Sequence, residues 1–136
     1  VLKKAVGQLF ISVFDAKNGK NFPDGGPNRD GLLMGLGPFI PDESADKKSK
    51  YTIETVIKGL IIGDVYAIGL HHDIKKNGKF DTNFIGIPKD GYGASFPPDY
   101  NKWGKPTFDD CKFTFTKEMA SKPYTMEVKY TPNAYI

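Results

Sequence analysis

Residues 65–72 set the strongest constraint on the fold. Tyr66, Ile68, Leu70 and His72 alternate with Val65, Ala67, Gly69 and His71, so a strand here carries mostly apolar side chains on both sides. Such a strand has to lie in the middle of a sheet with material packed on each face. Residues 8–14 show the same period, with Leu9, Ile11 and Val13 opposed to Gln8, Phe10, Ser12 and Phe14. It returns in residues 51–58, 111–117 and 124–130, where Ile53, Phe113, Phe115, Met126 and Val128 fall on the apolar side. No stretch holds a helical period over three turns. The prediction is therefore an all-β antiparallel β-sandwich with long irregular loops, one domain over residues 1–136. Its expected core is Leu9, Ile11, Val13, Ile53, Tyr66, Ile68, Leu70, Phe113, Phe115, Met126 and Val128. Residues 21–50 are dense in Gly, Pro, Asp and Lys and read as an irregular excursion with one helical turn over 42–47. Lys-Asn-Gly-Lys occurs at 17–20 and at 76–79, and Asn-Gly accepts the positive φ of hairpin-type turns.

Charge and cysteine content narrow the function classes. Nineteen basic residues against 16 acidic ones give a net charge of only +3. Arg29 is the single arginine, so bidentate contacts to phosphate or guanine are almost absent and nucleic acid is not an expected partner. Cys111 is alone, which removes an intrachain disulfide and a cysteine-based zinc site, and its bland role is that of a small buried apolar residue. No apolar run reaches the length of a membrane span. The chain starts at Val1 without an apolar leader, which says nothing about compartment.

Two loop regions carry candidate chemistry. Asp73, Asn77 and Asp81 occupy positions 1, 5 and 9 of a loop with Gly78 at position 6, the spacing with which calcium loops converge oxygen ligands. Position 3 is Lys75 and position 12 is Phe84, so side chains supply three ligands for an ion that takes six to eight oxygens. The competing account is an Asx turn in which Asp73 and Asn77 bond nearby backbone N–H groups. His71 and His72 are adjacent on a strand, leave on opposite faces and do not share a metal; one of them with Asp73 or Asp81 is a mixed ligand set. Tyr92, Phe96, Tyr100, Trp103 and Phe108 crowd the second region among Pro, Asn and Asp. Such a loop can stack on a saccharide or an apolar peptide, or fold back over an open end of the sandwich. Catalysis has no strong motif to rest on: there is no nucleophile elbow, phosphate loop or His-Glu-x-x-His. Carboxylate pairs remain at Asp109–Asp110 and at Asp73 with Asp81, the latter the first candidates for a hydrolase.

Residues 59–68, His72-Asp73, residues 77–88, Asp90-Gly91-Tyr92-Gly93 and residues 106–110 resemble one family over about residues 6–130, domain of unknown function 2141. The resemblance implies a transthyretin-like or prealbumin-like β-sandwich, made with a signal peptide and so secreted or periplasmic, and it implies no activity. The family's loop carries an oxygen ligand where this chain has Lys75, and an aromatic residue where it has Ala94. An ammonium from Lys75 or Lys76 would then stand where relatives hold an ion, leaving the calcium loop vacant. The functional expectation is a non-enzymatic binding domain that contacts a ligand or protein through Asp73, Asn77 and Asp81 and through Tyr92, Phe96, Tyr100 and Trp103. The alternatives are a hydrolase using loop carboxylates and a structural accessory domain.

Overall fold

The computed structural model describes residues 1–23, 31–82, 85, 88–97, 106–132 and 134. Its frame is an open five-stranded antiparallel sheet. Strand β1 (Gln8–Asp15) lies between β2 (Met34–Phe39) and β3 (Val65–Asp73). The far edge of β3 is shared by β4 (Gly91–Ala94) and β5 (Phe113–Thr114). The segment with two apolar sides is thus the middle strand, as its composition requires. Register pairs Leu9 with His72, Ile11 with Leu70 and Val13 with Ile68, so these residues share one face. Gln8 with Asp73, Phe10 with His71 and Phe14 with Ala67 share the other.

The first face is the aliphatic one. Leu9, Ile11, Val13, Tyr66, Ile68 and Leu70 form a cluster with Leu2 and Val128, and Ile53, Phe113, Phe115 and Met126 pack against it. Every expected core residue is either in this cluster or packed against it. Residues 51–60 and 124–130 deliver side chains to it without forming strands, being linked elsewhere by single bridges, Leu2 to Tyr51 and Tyr92 to Lys129. The expected strands at 51–58 and 124–130 are corrected accordingly: their alternation records which side is buried, not a ladder. The second face is aromatic at one end, where Phe14, Phe22, Ala67, Ala94 and Cys111 cluster beside Leu32 and Phe108.

Three further expectations are corrected. The strand at 111–117 shrinks to β5, because Thr107 caps helix α1 (Phe108–Cys111) and Thr116 caps helix α2 (Lys117–Ser121). Thr107 and Asp110 form a reciprocal capping box, which satisfies two N–H donors at once. The excursion 21–50 contains β2, an edge strand where Pro38 lacks no needed donor. Its predicted helical turn is two Asx turns, with Asp42 accepting from Ser44 and Asp46 from Lys48. Residues 17–20 lie in a 3₁₀ helix (Ala16–Asn21) capped by Asp15, not in a hairpin turn. Among the described residues no helix is long and apolar enough to cross a membrane.

Candidate functional site

The end of β3 gathers the polar groups of the second face. Asp73 is the last residue of β3, and its carboxylate is fully buried. Oδ2 accepts from Gln8 Nε2 at 2.9 Å and from the Gly78 amide at 2.8 Å, while Oδ1 accepts from the Asn77 amide at 3.2 Å. This contact depends on Gly7, whose φ of +69° turns the chain into β1. A Cβ there would run into the Asp73 carbonyl oxygen and the Ile74 backbone. Gly78, at φ +74°, supports the turn that brings its own amide back to Asp73.

Asp90, just before β4, is buried beside it. Its Oδ2 accepts from His71 Nε2 at 2.9 Å and from the Asp81 amide at 3.0 Å, and its Oδ1 from the Ile74 amide at 3.2 Å. Burial alone would raise this carboxyl, but those hydrogen bonds and the charge of His71 outweigh it and hold Asp90 below its ordinary value. The His71 ring is stacked on Phe10 at 5.9 Å between centroids and tilted against Phe80 at 5.1 Å. Tyr92 is the cross-strand neighbour of His71.

His72 leaves on the opposite face, as alternation demands. Its Nε2 donates to the Val6 carbonyl at 2.6 Å, and its Nδ1 accepts from the Tyr130 hydroxyl at 2.7 Å. Burial is the largest influence on it and lowers its pKa, so the neutral ring fits these partners.

The residues singled out from the sequence are only partly brought together. Asn77 donates its Nδ2 to Asp81 Oδ2 at 2.7 Å, and its Oδ1 accepts from the Lys79 amide at 3.0 Å. The loop oxygens are therefore engaged with N–H groups. Lys75 and Lys76 are exposed, and among the described residues neither pairs with Asp73 or Asp81, so neither ammonium fills the loop. The group that does converge is His71, Asp73 and Asp90, whose ligating atoms all lie within 4.8 Å of one another. Sequence reasoning gave Asp90 and Gln8 no role. The available signal was Asp90 itself, an acidic residue directly before Gly-Tyr-Gly.

Of the aromatic set, Tyr92 is half-buried and Phe96 is 47% exposed. Phe96 sits at φ +41°, a region that aromatic residues rarely adopt. Its amide donates to the Tyr124 hydroxyl at 2.9 Å, and the two rings stack at 4.7 Å with 10° between planes. Tyr100 and Trp103 lie outside the described residues. Asp109 is exposed and pairs with Lys112 at 3.1 Å while Asp110 caps α1, so these two carboxylates serve local helix structure. Cys111 is buried, and desolvation pushes its thiol up to about 11, which leaves little thiolate.

No curated protein and no solved structure matches the chain. A family model described as an uncharacterized protein conserved in bacteria, domain of unknown function 2141, matches residues 1–122. With that match over most of its length, and with the Asp73 loop and Asp90 inside it, the chain belongs to this bacterial family.

Proposed function

We propose that the chain is an exported, non-enzymatic binding domain on a transthyretin-like sandwich, and that it contacts its ligand or protein at the loop end carrying Phe96. The sandwich part of this reading is supported by the layer that residues 51–60 and 124–130 lay over the aliphatic face. The binding part is carried by Phe96: an aromatic ring held at a strained backbone angle, stacked on the 41% exposed Tyr124, and left open to solvent. Strain of this kind is kept where the surroundings over-determine it, often at ligand contacts. The loop carboxylates speak against the hydrolase, since Asp73 is buried and its oxygens already accept three N–H bonds.

Saturation-transfer NMR with chitohexaose, cellohexaose and maltohexaose, and with a set of apolar decapeptides, tests this reading. A hit should lose its signal with Phe96→Ala or Tyr124→Ala, both proteins keeping their circular dichroism spectrum. Signal retained in both variants, or no hit among these probes, would favour the structural accessory domain. Fractionation of native cells tests export, for which a cytosolic protein would be the contrary result.

A further inference from the structure

We propose that His71, Asp73 and Asp90 form a binding site for a first-row divalent transition ion such as Zn²⁺ or Mn²⁺, with His71 Nε2 and one oxygen of each carboxylate as ligands. The site shares Asp73 with the calcium spacing in the sequence but neither Asn77 nor Asp81. Three observations support it independently of the Phe96 surface.

The first is geometry. Tetrahedral bonds of about 2.0–2.2 Å hold two ligands of one ion about 3.3–3.6 Å apart. The three ligating atoms lie within 4.8 Å of one another, and His71 Nε2 is 2.9 Å from Asp90 Oδ2, so closure needs side-chain movements of at most about 1.5 Å. The second is charge. Asp73 and Asp90 are 0% and 1% exposed, and burying two carboxylates is costly unless they are neutralised. Among the described residues no Lys or Arg pairs with either carboxylate, and a divalent ion would balance their two charges. The third is support around the ligands. Gln8 and the amides of Asn77 and Gly78 hold Asp73, those of Ile74 and Asp81 hold Asp90, and Phe10 and Phe80 hold the imidazole. Outer partners of this type orient metal ligands. An ionised carboxylate offers about four acceptor sites, so both retain capacity once His71 turns from donor to ligand. One imidazole nitrogen with two carboxylates suits a transition ion, while Ca²⁺ asks for six to eight oxygens. The His71 side chain is 14% exposed and provides the way in.

The sequence contains two histidines, which makes the test direct. The chelator-treated chain of residues 1–136, labelled with ¹⁵N, is titrated with ZnCl₂ while the ring nitrogens are followed by NMR. The expected result is a 1:1 end point with a large shift of His71 Nε2 and an unmoved His72, and no such shift with CaCl₂. Asp90→Asn and His71→Gln should each weaken Zn²⁺ at least tenfold in calorimetry. Zn²⁺ that leaves His71 unshifted, that shifts His72 equally, or that binds His71→Gln undiminished would overturn the site. Should a variant fail to fold, the wild-type ring shifts decide alone.

Discussion

The two faces of β3 are held by different forces. On one, Tyr66, Ile68 and Leu70 are buried by apolar side chains, many of which come from segments with no ladder of their own. On the other, the strand end offers His71 and Asp73, whose neighbours are chosen by hydrogen-bond direction. Apolar burial is non-directional and scales with area, so irregular chain can supply it. A buried carboxylate needs donors at fixed angles and distances, so the polar end requires Gly7, Gly78 and the loop amides to be in place together.

That contrast predicts how each face breaks. Truncation on the aliphatic face should be the most damaging: Ile68→Ala is expected to cost about 2–5 kcal/mol and Ile68→Val about 0.5–1.5 kcal/mol, following removed volume. Urea midpoints measure both, and equal losses would deny the volume dependence. On the polar face, Asp73→Asn changes almost no volume yet sets an NH₂ group where Gln8, Asn77 and Gly78 donate. About 1–3 kcal/mol should be lost, against near zero if volume ruled there too. The smallest effect is kinetic and leaves stability untouched. Cys111 lies in the aromatic cluster with its thiol raised to about 11, so iodoacetamide at pH 8 should label the native protein far more slowly than the urea-unfolded chain. Similar rates in both would mean that this end of the second face opens readily.

The sequence discloses burial better than pairing. Alternation marks the buried side of residues 51–58 and 124–130, because it depends only on which side chains avoid water. Pairing depends on what lies alongside, which no local pattern records. For that reason β2 stays hidden behind Gly35, Gly37 and Pro38, residues that an edge strand tolerates. Helix α1 has a readable signal in Thr107 with Asp110, three residues apart, but the alternation over residues 111–117 masks it. At the candidate site, the spacing of Asp73 and Asn77 points to the loop, and both are engaged in the N–H bonds of an Asx turn. Asp90 is brought in from residues 16 or more positions away from its partners Ile74 and His71, a distance that spacing rules do not span.

The placement of β3 also bears on how the chain reaches its fold. Its pairing with β1 is the longest register in the sheet, yet residues 16–64 lie between the two strands. The central ladder therefore cannot grow outward from a local turn. A large loop has to close before any of its eight pairs contributes, and such topologies fold in about milliseconds to seconds rather than microseconds. During that interval β1, with apolar residues on both sides, waits without its partner, which makes residues 8–15 the segment most exposed to wrong partners while the chain is still open.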